Sequence, residues 1–290
     1  MKPSESRSFA AARVLVVVLL CVWMGLPLLL TLSVSLQTMP QIYASAPIIW
    51  PGQFQWGNYA RAMQNGSWGR YLFNSTYVAA LTVGISLCIN ATAGYAFARI
   101  PFKGRKPLFA LILVGMMIPP QVTMIPVFTM LRGVPFAGGN DALGRGGLGL
   151  LNTYAGLIAP YVAGSFGVFL CRQYYITFPS ALDDAARIDG AGRMRTFFSI
   201  YLPLSGPLFA SLGVLKFTGT WNEYTWPLIM THSDDMKTVQ LALTMFRDEA
   251  EIRWNELMAA TLVSSAAIYI VFLLAQKHFV SGVLAGSVKG

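Results

Sequence analysis

Charge is what this sequence has least of. Only 11% of its 290 residues are Asp, Glu, Lys or Arg, while 55% are hydrophobic. Soluble domains carry about 25% charged residues, so a water-soluble globule is excluded. Cysteine is scarce as well. Cys21, Cys88 and Cys171 have no paired spacing and lie in or at the end of apolar runs. They read as small apolar packing residues, not as a disulfide framework or a metal site. His232 and His278 are isolated, which argues against a histidine metal site. No G-x-x-x-x-G-K-[ST] stretch occurs, so the chain has no P-loop with which to bind and hydrolyse ATP. The glycine-rich Arg132–Gly147 is accordingly a plain external loop, expected to be flexible or irregular. The sequons at Asn74 and Asn90 fall inside an apolar run and are accidents of pattern.

Long apolar runs are what the chain has instead. Six are long enough to span a bilayer, which takes about 20 residues. They are Val14–Leu36, Tyr71–Ala98, Pro107–Leu131, Leu148–Cys171, Leu204–Met230 and Leu257–Gln276. The first is too long for a signal peptide, and the "ASA" at Ala44–Ala46 lies too far beyond it, so it is retained as a span. The expected class is an all-α membrane protein of six transmembrane helices, lipid-embedded, with both termini cytoplasmic. Its parts are a tail over 1–13, a first span over 14–36, an external loop over 37–70, a five-span core over 71–276 and a tail over 277–290.

Charge placement sets this orientation. Thirteen lysines and arginines fall on the side of the N-terminus against four acids, and seven fall on the other side against seven acids. The whole net charge of +9 is then cytoplasmic, as the positive-inside bias requires. Topology alone accounts for it, so no nucleic-acid partner is needed. The loop Gln37–Arg70, rich in Pro, Gly, Trp and Gln, suits a packed external cap or a partner contact.

Two spans carry unusual residues. In the third, "IPPQVTMIP", Pro119, Pro120 and Pro126 should kink or break the helix. In the fifth, "KFTGTWNEYTWPLIM", Lys216 and Glu223 lie near mid-bilayer, where an ionisable group costs about 2.5–3.5 kcal/mol on insertion scales. Seven residues apart, they share a face of an uninterrupted helix, too far apart for a direct pair. With Thr220, Asn222 and Tyr224 they form a candidate polar translocation path; the alternative is interhelical hydrogen bonding beside an aromatic belt.

One charged stretch interrupts the apolar pattern: "SALDDAARIDGAGRMRTFFSIYLP", residues 180–203. Ser180 followed by Asp183 reads as a capping box, and Asp183 and Asp184 suit the positive end of a helix. Gly190 fits a C′ position, and a second short helix follows through Arg193 to Ile200, closed by Pro203. The expectation is a cytoplasmic helical hairpin whose exposed alanines, flanked by acids and arginines, dock into a cleft on another protein.

The pattern Asp184-Ala185-Ala186, three residues, Gly190, nine residues, Ile200-x-Leu202-Pro203 resembles the EAA loop of permease subunits of ABC importers. Asp184 stands where that pattern has Glu. "AARIDGA", "TWNEYTWPL" and the ending "HFVSGVLAGSVKG" resemble the MalG-like branch of carbohydrate permeases, over most of the chain from about Tyr71. The resemblance implies a type I ABC importer permease fold in a bacterial cytoplasmic membrane. It implies partners: a second, non-identical permease, two copies of a cytoplasmic ATPase and an extracytoplasmic solute-binding protein. It implies no cofactor on this chain, ATP and Mg being used by the ATPase. The coupling-loop residues it marks are Asp183, Asp184, Ala185, Ala186, Asp189, Gly190, Arg193, Ile200, Leu202 and Pro203. The implied solute is a sugar or oligosaccharide, with glycerol-3-phosphate or an acidic oligosaccharide as alternatives. An ion-driven secondary transporter using Lys216 and Glu223 is a further alternative, but the two halves of the chain show no repeat of the kind such folds often carry.

Overall fold

The computed structural model describes residues 7–46, 49–247 and 251–287. Residues 1–6 and 288–290 of the expected tails lie outside these, as do Asp248 and Glu249 among the external acids. In chain order the helices are α1 (Arg7–Ser35), α2 (Met39–Ile42), α3 (Gly57–Gln64), α4 (Trp68–Arg99), α5 (Arg105–Met117), α6 (Pro120–Arg132) and α7 (Tyr154–Ile158). There follow α8 (Ser165–Ile176), α9 (Ala181–Ile188), α10 (Arg193–Thr196), α11 (Gly206–Trp221), α12 (Thr225–Met230), α13 (Val239–Ala242) and α14 (Trp254–Ser287). No strand occurs among the described residues.

Three helical segments are each long and apolar enough to cross a membrane: Ala12–Ser35, Trp68–Arg99 and Trp254–Gln276. Three more spans form if bent pairs are taken together, with bends of 104° between α5 and α6, 48° between Tyr154–Tyr161 and α8, and 43° between Arg193–Tyr201 and Pro203–Trp221. The sharpest bend falls where the sequence has Pro119-Pro120. Ile118 before them is extended (φ −82°, ψ 119°), because a proline ring excludes the helical region from its predecessor. Pro120 then opens α6 at a position where its missing N–H costs nothing, whereas Pro126 stays inside α6 without breaking it.

The chain divides into two compact units. One is Met1–Trp68 with Leu243–Ala266. Here the external segment folds back on its own unit. Buried Asn58 donates from Nδ2 to the carbonyls of Ser35 (2.8 Å) and Gln37 (2.9 Å). Arg61 pairs with Glu256 at 3.3 Å, and Trp68 stacks on Phe246.

The other unit is Gly69–Ala242 with Ala267–Gly290. Its centre is the crossing of α4 and α8, made possible by two glycines. A Cβ on Gly94 would lie 2.4 Å from Cys171 Cβ, and one on Gly167 would lie 2.3 Å from Asn90 Nδ2. Small residues at such crossings let backbones approach, which is how helices associate in lipid without a hydrophobic driving force. One buried cluster joins α4, α8, the turn Phe197–Tyr201 and α11 through Tyr95, Cys171, Tyr175, Phe197, Tyr201 and Leu212. A second gathers Val78, Leu157, Trp226, Met230 and Met236. Asn74 and Asn90 are both fully buried, so neither sequon presents an acceptor. The loop Arg132–Gly147 is irregular but tightly tied. Asn140 Nδ2 donates to the carbonyls of Arg132 and Val134, and its Oδ1 accepts from Gly147 N.

Candidate functional site

The charged stretch forms the expected hairpin, but its first turn is built differently from the capping box read in the sequence. Ser180 is itself helical (φ −61°, ψ −25°) and makes no side-chain cap; a capping side chain needs an extended backbone to reach forward. Asp183 instead turns inward. One carboxylate oxygen lies 3.2 Å from Arg99 Nη1, and the Tyr201 hydroxyl donates to both of its oxygens at 3.0 Å. Asp184 stays at the surface, paired with Arg187 at 3.5 Å; exposed pairs of this kind contribute about 0–1 kcal/mol, leaving Asp184 free for other contacts.

The helix ends as foreseen. Gly190 has φ +69°. Ala191 N donates to Ala186 O (2.8 Å) and Gly190 N to Arg187 O (3.0 Å), which is the Schellman pattern that a glycine at C′ permits. The alanines divide between two faces, contrary to the expectation that they are exposed together. Ala185 is exposed, while Ala186 is 3% exposed. The most exposed apolar side chain of the hairpin is Ile188, 87% exposed, ahead of Met194 and Phe198, with Asp189 exposed beside it. Arg193 opens α10 exposed, and its backbone carbonyl accepts from the Tyr95 hydroxyl at 3.2 Å. Ile200 and Leu202 pack on the cluster around Tyr175 and Tyr201. Ile200 lies within a π-helical turn over Phe197–Tyr201, closed by Leu202 N donating to Phe197 O at 2.9 Å. Pro203 then begins a short 3₁₀ turn into α11.

The candidate path residues are also placed differently. The fifth span is not one helix to Met230: α11 stops at Trp221 and α12 starts at Thr225. Lys216 and Glu223 therefore do not share a face of a continuous helix. Lys216 Nζ donates to Tyr161 O at 3.1 Å. Glu223 Oε1 accepts from Trp226 N at 3.1 Å, satisfying one of the open N–H groups at the start of α12. Thr220 and Glu223 line a very small cavity with Ser75, Tyr161 and Thr238. Asn222 and Tyr224 are the exposed members, and Asn222 Oδ1 accepts from Gln240 Nε2 at 3.1 Å. The break thus divides the set: Lys216 and Glu223 are half-buried with a backbone partner each, while Asn222 and Tyr224 are exposed.

Some working residues were not singled out from the sequence. Arg99, one of the thirteen basic residues on the side of the N-terminus, donates to Tyr175 O (3.1 and 2.8 Å) and to Phe178 O. Asn74 is a second case. It donates to the carbonyls of Asp235 and Lys237 and accepts from the Tyr154 hydroxyl. The signal for both was present: a polar group with full hydrogen-bonding capacity within or ending an apolar run, which must find partners in the protein.

The chain as a whole is similar to known proteins. A family described as "Binding-protein-dependent transport system inner membrane component" matches residues 90–284. A probable ABC transporter permease protein of Bacillus subtilis (strain 168) is 36% identical over 242 residues, 83% of this chain and 76% of that protein. An arabinooligosaccharides transport system permease protein of Halalkalibacterium halodurans is 34% identical over 225 residues, 78% of this chain and 76% of that one. A crystal structure of a bacterial ABC transporter involved in the import of the acidic polysaccharide alginate shares the fold, with a TM-score of 0.79 at 20% identity, over 96% of this chain and 100% of that one.

Proposed function

The chain belongs to the binding-protein-dependent transport system inner membrane component family, and from that premise we propose that the hairpin 180–203 is the face by which it receives work from a cytoplasmic ATPase. It is a permease subunit of an ABC importer in the inner membrane. The solute is a sugar or oligosaccharide, delivered by a solute-binding protein. Arabino-oligosaccharide permeases among the relatives and an alginate importer with the same fold support that class. A second permease completes the path, and two ATPase copies bind the ATP and Mg. Both termini and the hairpin are cytoplasmic.

The observation that carries the coupling role is Ile188. An isoleucine 87% exposed at the end of a helix otherwise faced by Asp184, Arg187 and Asp189 has no use in water, and the span-side contacts of the hairpin are made by other residues. Burying such a side chain fully is worth about 1.5–3 kcal/mol. Asp184, Ala185, Gly190 and Arg193 supply the small and charged surroundings. Ile188→Glu is expected to leave the permease inserted but to reduce ATPase recovered with it about tenfold or more, since an anchor at an interface centre costs roughly 2 kcal/mol or more. Full recovery of the ATPase with this variant overturns the assignment. Lys216 and Glu223 are held by backbone partners, which supports the ATP-driven reading over an ion-driven one.

A further inference from the structure

Beneath the hairpin, Arg99, Asp183 and Tyr201 form a knot that ties three spans to α9, and its role follows from what each group is tied to. Arg99 is the last residue of α4. Its guanidinium donates to Tyr175 O, at the end of α8, at 2.8 and 3.1 Å, and to Phe178 O just beyond. These carbonyls lie at and just beyond the C-terminus of α8, where a cation is favoured. From another nitrogen Arg99 reaches Asp183 of α9 at 3.2 Å, with side chains only 13% and 20% exposed. Its Cζ lies 5.5 Å from the ring centre of Tyr201, which precedes α11 and donates its hydroxyl to Asp183. Aromatic rings enclose the knot: Phe178 stacks on Tyr201 at 5.3 Å, Tyr95 lies at 4.9 Å and Tyr175 at 5.6 Å.

We infer that Asp183–Arg99–Tyr201 is a rigid joint that makes α9 move as one body with the ends of α4, α8 and α11, so that a pull on the hairpin reaches the spans instead of bending a loop. The inference deepens the proposed coupling role and rests on it. Asp183 and Arg99 act in the joint as positioning residues, through the contacts they make with Tyr175, Phe178 and Tyr201. The physical argument is specificity of geometry. A partly buried ion pair is weak evidence for stability, but removing one partner strands a charge. Arg makes these contacts at once through a planar fork of five donors, which Lys cannot reproduce. Without the joint, α9 itself would rest on the permease through Ala186, while the hydrogen bond from Tyr95 and the apolar contacts of Phe197, Ile200 and Leu202 hold only the second half of the hairpin.

The test uses the full complex, with ATPase and second permease, in lipid discs. Spin labels are placed on the exposed Ala181→Cys at the start of α9 and Gln173→Cys on α8, and their separation is measured without nucleotide and with ATP and vanadate. With the joint intact, the separation is expected to stay narrow and to change by less than about 2 Å, the scale of ordinary helix shifts, in both states. Asp183→Asn, Arg99→Met and Tyr201→Phe are each expected to broaden it. Breaking a buried pair raises the released population on the order of a hundredfold. The double variant Asp183→Asn/Arg99→Met should be no worse than the worse single one, because coupled residues act as a unit. Tyr201→Phe removes one hydroxyl and keeps the ring, so it stays informative if Arg99→Met fails to insert. A separation that changes with nucleotide in the intact protein, or stays sharp in Asp183→Asn and Tyr201→Phe, overturns the joint. ATPase recovery is read in parallel. If Ile188→Glu retains the ATPase, the coupling role falls; if it loses the ATPase while the Asp183 and Tyr201 variants keep a sharp separation, only the joint falls.

Discussion

Two neighbouring alanines illustrate how much one residue's direction decides. Ala185 and Ala186 are the same chemistry one position apart, and a helix rotates them about 100° relative to each other. Ala186 faces the permease and is buried; Ala185 faces out. Ala186→Trp is therefore expected to destabilise the permease itself, by the roughly 1–3 kcal/mol that overpacking costs, lowering its melting temperature in detergent. Ala185→Trp should leave melting unchanged and reduce ATPase recovery. Equal melting temperatures for the two variants would contradict this division.

Asp234 is a second case at the same scale. It accepts from Tyr71 at 2.7 Å and pairs with Lys237 at 2.8 Å. The hydrogen bond from Lys237, then that from Tyr71, holds its carboxyl below the ordinary carboxylate value. A depressed folded value means the stabilising contribution is complete above the unfolded value, about 3.9, and is lost as pH falls through the lower folded value. Hydrogen-exchange protection of Val239 N, which donates to Ser75 Oγ, should weaken on acidification through that window. Asp234→Asn should remove this pH dependence. Protection that falls equally with pH in Asp234→Asn would assign the effect elsewhere.

Among elements, the α4–α8 crossing depends on absent side chains. Gly94→Val would put a Cβ 2.4 Å from Cys171 Cβ and 2.9 Å from Arg172 N, contacts that only a backbone shift relieves. The expected cost is about 1–3 kcal/mol or more from overpacking, seen as a lower melting temperature and reduced yield of folded protein. Gly219→Val, at a helical glycine with open space around it, is the matched control and should melt near the parent. A Gly94 variant as stable as that control would mean the helices can part at no cost. The break between α11 and α12 is an element of another kind. Glu223 closes the start of α12 through Trp226 N while also lining a small cavity with Thr220 and Tyr161.

For the whole molecule, the central proposal is that this chain receives work without carrying the chemistry that supplies it. Reconstituted alone in lipid discs it is expected to hydrolyse no ATP above empty discs. Hydrolysis should appear only with the ATPase pair, and solute-dependent acceleration only with the binding protein as well. ATP turnover by the isolated chain would overturn the proposal that the ATP site lies on a partner.

The sequence alone determined the class, the six apolar runs, the hairpin and its glycine stop, and the proline break. Each is set by local rules: hydropathy over about 20 residues, φ at one residue, or a missing N–H. It determined the family as well, because the spaced residues of the loop are themselves the signature. Tertiary structure alone decided which way the polar groups face. Asp183 was read as a helix cap and became the partner of Arg99, 84 positions away. Lys216 and Glu223 were read on one face and were separated by a break four residues before Pro227, whose missing N–H leaves the Glu223 carbonyl without a helical partner; that signal was in the sequence, whereas the partners the two side chains found were not. The reason is the same in each case. In lipid a polar side chain must be satisfied by the protein, several partners compete for it, and which one is within reach depends on how helices distant in sequence are packed.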